Sequence, residues 1–95
     1  MPYIKDEVKN AMTDAIENMQ ALILSKGDLN YVICEIVSQL ILSDEISYTK
    51  ISEWIDGVHD AETELRRRLL ESYEDLKKDQ NGDVPGFIKI LDRMR

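Results

Sequence analysis

The sequence predicts an all-α fold: a small helical bundle built on one long helix at about residues 47–78, with two N-terminal helices and a short C-terminal helix. Two observations favour this class. Apolar residues recur at spacings of three and four through most of the chain, which places them on one side of a helix. The chain also has only two prolines and four glycines, and it has no run of alternating apolar residues that would indicate a strand.

The first helix is predicted from Lys5 to about Leu24. Asp6 and Glu7 lie in its first turn, where carboxylates suit the positive end of the helix dipole. We expect Gly27 to end this helix by adopting the left-handed conformation of a C-cap. The apolar face of the helix comprises Val8, Met12, Ala15, Ile16, Met19, Leu22 and Ile23.

The second helix is predicted from Leu29 to about Leu42, with Asp28 as its N-cap. This stretch is the most hydrophobic of the chain and is rich in β-branched residues, so a buried strand is the competing interpretation. The spacing of its apolar residues nevertheless favours a helix. Its apolar face comprises Leu29, Val32, Ile33, Ile36, Val37, Leu40 and Ile41.

The long helix is predicted to begin after Ser47, whose hydroxyl can cap the first turn. Charged Glu62 interrupts its apolar stripe. About 30 helical residues span ~45 Å, whereas a compact domain of 95 residues is only ~30 to 35 Å across. The helix therefore either breaks, most readily at Gly57, or projects and is covered by a second chain, so we expect a homo-oligomer, either a dimer or larger. The stripe comprises Ile51, Trp54, Ile55, Val58, Ala61, Leu65, Leu69, Tyr73 and Leu76.

The last helix is predicted from Pro85 to Met94, after a turn at residues 79–83 in which Gly82 or Asn81 adopts a positive φ. So short a helix is not stable alone, and it must dock on its own bundle or on a neighbouring chain. The oxygen-bearing residues of the turn have the spacing that opens a calcium loop. The glycine and the bidentate glutamate that such a loop requires further on are missing, so we interpret the segment as a helix-terminating turn.

Composition and charge restrict the classes of protein that remain. All 95 residues, 1–95, are expected to form a single helical domain. The net charge of -7 argues against direct binding to nucleic acid. No apolar run approaches the ~20 residues that cross a bilayer, and the N-terminus lacks the apolar core of a signal peptide. We therefore expect a cytoplasmic protein without membrane contact, in which the single cysteine, Cys34, is buried in the core.

No cluster of residues predicts a catalytic centre or a metal site. His59 is the only histidine, and scattered carboxylates near it fall short of a metal-binding motif. The sequence contains no glycine-rich phosphate loop and no serine with an evident base. We therefore expect a protein that is not an enzyme and that requires no cofactor.

Three successive arginines, Arg66, Arg67 and Arg68, are the most suggestive group in the chain. In one interpretation they form ion pairs along the helix, each of which contributes only a few tenths of a kcal/mol. In the other they form an anion site, because guanidinium groups bind phosphate oxygens in a bidentate manner. Both interpretations stay open. The pairs expected from spacing are Glu62 with Arg66, Glu64 with Arg68 and Arg67 with Glu71.

Several short strings stand out in order along the chain: MPYIK, GDLNYVI, an RR pair, YEDLK and NGDV. Together they resemble a family of small uncharacterised proteins found in bacteriophages and bacterial genomes. The resemblance extends to Gly86 and implies kinship without an assigned activity. The positions that it singles out are Tyr3, Lys5, Gly27, Asp28, Asn30, Tyr31, Arg67, Arg68, Tyr73, Glu74, Asp75, Asn81, Gly82 and Asp83.

The chain departs from the pattern of this family at three positions. Arg66 stands where an aromatic residue is usual, Ser72 where a proline is usual, and Pro85 where a tyrosine often follows NGDV. A serine in place of proline favours an unbroken long helix. The additional arginine enlarges the cationic cluster.

The matched polar and aromatic residues suit a pocket for an anionic, nucleotide-like ligand, in which cations bind phosphate and tyrosines stack. We expect a non-enzymatic protein, encoded by a phage or prophage, that sequesters such a ligand at a subunit interface and counters host defence signalling; small oligomeric phage proteins are the analogy. The alternative is an acidic protein-binding module or an inhibitor of a host factor. The candidate ligand-binding residues are Tyr3, Lys5, Asn30, Tyr31, Arg67, Arg68 and Tyr73.

Overall fold

The computed structural model describes residues 3–95, and every regular element within that range is helical. The elements are α1 (Asp6–Leu22), α2 (Lys26–Leu42), α3 (Tyr48–Leu65), a π-helical turn (Arg66–Leu70), α4 (Glu71–Asn81) and α5 (Pro85–Met94). The predicted all-α class is therefore confirmed. The predicted long helix is confirmed as well, since α3, the π turn and α4 follow one another without interruption from residue 48 to residue 81.

The chain divides into two compact units, the first ending at Ala61 and the second comprising Glu62–Arg95. The first unit contains α1, α2 and most of α3, and the second contains the π turn, α4 and α5. The prediction of a single domain over residues 1–95 stays a prediction. Met1 and Pro2 of the MPYIK string lie outside the described residues.

The start of α2 differs from the prediction. Ser25 is the N-cap, because its hydroxyl accepts a hydrogen bond from the backbone N–H of Asp28 at 3.2 Å. The Asp28 carboxylate in turn accepts one from the N–H of Leu24 at 2.9 Å, which resembles the reciprocal bonding of a capping box. Prediction of Asp28 as the N-cap was therefore wrong. Gly27 lies inside the first turn of α2 and does not end α1.

The other predicted helix boundaries agree with the structure. Ser47 caps α3, with its hydroxyl 3.2 Å from the N–H of Lys50. The helix continues through Gly57 without a break. Gly82 ends α4 with a φ of 87° and a ψ of 157°, a conformation that only glycine adopts readily. Pro85 is the first residue of α5, where its missing N–H removes no helical hydrogen bond.

No side chain among the described residues is fully buried. In the first unit, a few apolar side chains at the end of α1, on α2 and at the start of α3 are half-buried: Ile23, Val32, Val37, Leu40, Ile41 and Ile51. Cys34 is exposed, so its predicted burial was wrong; it lies on the solvent side of α2, with Sγ 3.8 Å from Oδ1 of Asn30. In the second unit, every apolar side chain is exposed.

Two glycine substitutions are expected to have opposite effects on stability. Gly82→Ala places a Cβ on a backbone with positive φ, which is expected to destabilise the protein by about 1 to 3 kcal/mol. Gly57→Ala is the matched control: it lies in α3 with open space around its Cβ, and alanine there is expected to stabilise by roughly 0.5 to 1 kcal/mol. Thermal unfolding followed by circular dichroism measures both. A shift of the same sign in both variants would contradict the assignment of Gly82 as the helix stop.

A second pair of substitutions separates a capping serine from a serine inside a helix. Ser25→Ala removes the acceptor of the Asp28 N–H and is expected to lower the free energy of unfolding by about 1 kcal/mol. Ser38→Ala removes a hydroxyl that donates to the Cys34 carbonyl within α2, so it is expected to be neutral or slightly stabilising. Urea unfolding curves distinguish the two. Equal effects would indicate that the cap contributes nothing.

Candidate functional site

The arginine cluster lies on the π turn, a feature that the sequence analysis did not predict. The N–H of Glu71 donates to the carbonyl of Arg66, five residues back, instead of the four of an α-helix. The one signal in the sequence is a change of spacing. Apolar positions along the long helix alternate between three and four apart up to Ala61, after which three spacings of four follow one another at Ala61, Leu65, Leu69 and Tyr73. A π turn accommodates such an extra residue without ending the helix.

The π turn changes which side chains share a face. In an α-helix, a residue five positions on lies about 140° round the axis. In a π turn, the hydrogen bond joins residues five apart, which brings them to the same side. Leu70 is thereby placed on the side of Leu65, and an open groove of about 410 Å³ forms there. The groove is lined by Glu62, Leu65, Arg66, Leu69, Leu70 and Tyr73.

The arginines of the π turn already have partners within the helix. The Arg66 guanidinium lies 2.9 Å from Oε1 of Glu62, which confirms the first of the expected ion pairs. Glu62 itself is exposed. Arg67 contacts both carboxylate oxygens of Glu64 at 3.1 Å, three residues back along the helix. Arg68 is also engaged. The ion-pair interpretation thus describes the unliganded cluster, and an anion would have to exchange with Glu62 or Glu64.

Tyr73 lies one helical turn beyond the arginines and forms the end of the groove. The Lys77 ammonium is 5.6 Å from the centroid of its ring, within range of a cation–π contact. The tyrosine is therefore held by a neighbour on its own helix, and its ring remains largely exposed. This arrangement places a positive charge over one face of the ring.

The other candidate residues lie in the first unit. Tyr3 precedes α1, and Lys5 is the N-cap residue of that helix, where its carbonyl accepts from the N–H of Val8 at 3.0 Å. Asn30 and Tyr31 lie in the second turn of α2, and Tyr31 is exposed. Three of the seven candidates, Arg67, Arg68 and Tyr73, lie on one helix in the second unit, but only Tyr73 lines the groove. Convergence of all seven on one site stays a prediction.

Sequence reasoning missed part of this site. The groove includes Arg66, Leu65, Leu69 and Leu70, none of which was among the candidates. Leu65 and Leu69 belong to the predicted apolar stripe and were not considered as ligand contacts. Leu70 is outside that stripe, because an α-helical projection places it away from Leu65. Only the run of three spacings of four could have indicated the local change.

Three further observations concern the described residues. Nowhere between residues 3 and 95 do three or more histidine, cysteine or acidic side chains form a group that could hold a metal ion. At the turn after α4, the Asp83 carboxylate accepts from the N–H of Val84 at 2.7 Å, as a helix-terminating turn requires. None of the helices described is both long and apolar enough to span a membrane.

Comparison with known proteins gives a family but no activity. No curated protein and no solved structure matches the chain. A family model described as Domain of unknown function (DUF6899) matches residues 1–84, which include the π turn and exclude α5. Since the match covers most of the sequence, this chain belongs to the DUF6899 family.

Proposed function

We propose that this chain is a non-enzymatic binding protein that captures a small anionic, nucleotide-like molecule at a subunit interface. An origin in a phage or prophage, and a role in countering host defence signalling, belong to the same proposal and rest on the resemblance of its sequence strings. The observation that carries the proposal is the π turn, which bears three successive arginines, the first of which lines an apolar groove together with Tyr73. π turns within α-helices are frequent at functional sites.

The groove supplies the two kinds of contact that a nucleotide needs. Leu65, Leu69 and Leu70 form an apolar surface that suits the face of a base, and the Tyr73 ring adds a stacking partner. The neighbouring guanidinium groups suit phosphate oxygens, which they bind with paired N–H donors. A ligand of this kind would therefore lie along the helix, with its base on the leucines and its phosphate at the arginines.

The existing ion pairs differ in how readily an anion could replace the carboxylate. Both partners of the Arg66–Glu62 pair are more than half exposed, and such pairs contribute only about 0 to 1 kcal/mol. In the Arg67–Glu64 pair the glutamate side chain is only 18% exposed, so an anion would replace it less readily. A phosphate carries more charge than a carboxylate and accepts a bidentate bond equally well. The overall negative charge opposes an anion at long range, but salt screens that repulsion beyond about 8 to 10 Å.

Ligand capture predicts that Arg67→Ala and Arg68→Ala abolish the thermal stabilisation that a ligand confers, because stabilisation rises with the ratio of ligand concentration to Kd. The probes are inorganic phosphate, adenosine monophosphate and a cyclic dinucleotide, and the melting temperature is measured with and without each. Arg93→Ala is the matched control, since this arginine lies on α5, outside the cluster. Circular dichroism should show the same helix content in all variants.

Native mass spectrometry of the untagged protein, purified gently from a nucleotide-rich lysate, tests the same proposal without a chosen probe. A fixed additional mass that is released on denaturation is the expected result. Absence of an adduct, together with no melting shift for any of the three probes, would sink ligand capture.

An acidic protein-binding module is the second candidate, and the charge of the chain favours it. The net charge is -7, and the apolar residues of the second unit are exposed, so a partner with basic and apolar side chains could bind them. Such an interface would use the surface of the helices and would leave the arginines of the π turn in their ion pairs.

The second candidate predicts an affinity that falls as salt concentration rises, because exposed charges are screened. The probe is a synthetic amphipathic peptide rich in lysine, titrated by fluorescence anisotropy at about 50 and 300 mM salt. Charge reversal of the exposed acidic residue Asp92 to lysine is expected to weaken binding, whereas Lys89→Glu on the same helix of the second unit should strengthen it. An affinity that is independent of salt and of both reversals would contradict this candidate.

A further inference from the structure

The second unit, residues 62–95, carries apolar side chains that are all exposed. A contiguous apolar surface of this kind marks a site that another chain can cover. A stable dimer buries about 800 Å² from each partner.

Much of the exposed apolar surface in the second unit lies on one face of the long helix, here called the 65–76 face. Its residues and their exposed fractions are Leu65 60%, Leu69 64%, Leu70 44%, Tyr73 57% and Leu76 59%. The π turn brings Leu70 onto this face, as described for the groove. Apolar residues of this size at helical spacing form a docking stripe that water covers poorly.

We propose that the 65–76 face is the docking surface for a second copy of this chain, which lies antiparallel to the first across a two-fold axis near Leu70. Such an interface is isologous: if residue i of one copy contacts residue j of the partner, then residue j of the first copy contacts residue i of the partner. In this arrangement, residues equally far before and after Leu70 face each other.

The apolar residues of the face satisfy this symmetry. Leu65 lies five residues before Leu70 and Leu76 lies six after, so each meets its counterpart to within one residue. Leu69 lies one residue before Leu70 and Tyr73 lies three after, so these two flank the axis and meet to within two residues. Two copies of Leu70 lie at the axis itself, where the π turn presents them. Each layer therefore pairs large apolar side chains, as helix packing requires.

The charges beside the face follow the same symmetry with opposite signs. Arg66 lies four residues before Leu70 and Glu74 four residues after it. Glu62 lies eight before and Lys78 eight after. An antiparallel pair therefore places Arg66 opposite the partner's Glu74, and Glu62 opposite the partner's Lys78. By the two-fold axis, each contact occurs twice.

A parallel pair in the same register lacks this complementarity. It would place the two arginine clusters side by side, and like charges at an interface disfavour an arrangement. The ion pairs within one copy do not oppose the antiparallel arrangement. Glu62 stays beside Arg66, and the Lys78–Asp75 contact is long, at 3.6 Å, and exposed. Each acidic side chain of one copy then faces a basic side chain of the partner, and each basic one faces an acidic one.

The test reverses one charge of each complementary pair. Arg66→Glu places a glutamate opposite the partner's Glu74 twice in a homodimer, and Glu74→Arg places an arginine opposite the partner's Arg66. Each variant alone is expected to raise the Kd of association by roughly tenfold or more. Combined in one chain, the two reversals restore opposite charges and should return the Kd to within about threefold of the original.

Mixing the two single variants gives the sharpest result. A heterodimer of Arg66→Glu with Glu74→Arg has opposite charges at both sites, whereas each homodimer has like charges at both. Sedimentation equilibrium should therefore show recovered association in the mixture. Lys9→Glu is the control, because it makes the same change in net charge on α1. It should leave the Kd unchanged.

Leu69→Ser tests the apolar part of the face. Leu69 is 64% exposed in the single copy, so its removal opens no cavity there. We expect the Kd to rise by on the order of 100-fold, since the substitution enters the interface twice. An unchanged Kd would contradict the proposal.

Three outcomes overturn the proposal. The first is a wild-type mass of 11.0 kDa at high protein concentration. The second is that the single variants associate weakly and do not recover on mixing, and the third is that neither charge reversal changes the Kd. The first would indicate that the apolar surface is covered within one copy, for example by α5. The proposal does not depend on ligand capture. Association of the ligand-free protein tests it directly, through Arg66 and Glu74, whereas ligand capture is tested through Arg67 and Arg68.

Discussion

The constraint on which the structure depends is that its helices are amphipathic, yet none of the described apolar side chains is fully buried. The helices form because apolar residues recur at spacings of three and four, because Ser25 and Ser47 cap the starts of α2 and α3, and because Gly82 ends α4. Backbone hydrogen bonds are thus satisfied locally. Yet no described side chain is fully buried, so the apolar stripes that stabilise most helices in proteins find little to contact in one copy. We propose that self-association through the 65–76 face buries part of this apolar surface.

The π turn connects this constraint with the candidate site. It inserts an extra residue into the long helix at the arginine cluster and turns Leu70 toward Leu65. The same local change therefore presents both a cationic group and an apolar groove. In the proposed antiparallel pair, Arg66 contributes to the interface while Arg67 and Arg68 remain beside it. The two proposals use different arginines, but both use Leu65, Leu69, Leu70 and Tyr73, so ligand binding and self-association would compete for the same face.

The match to the family model ends between the long helix and α5. The family model ends at residue 84 and so contains the long helix, the π turn and the stop at Gly82. The amphipathic α5 follows beyond the matched region. Its exposed apolar residues, like those of the 65–76 face, have no partner within the described chain that buries them.

The amino-acid sequence determined by itself what depends on near neighbours: the helical class, the long helix, the cap at Ser47, the stop at Gly82 and the start at Pro85. It misplaced the start of α2, because Ser25 and Asp28 compete for the same cap and spacing does not rank them. Only the tertiary structure shows that Cys34 is exposed and that the long helix contains a π turn. Exposure depends on what packs against a helix, and one extra residue in a turn leaves hardly any trace in an apolar pattern.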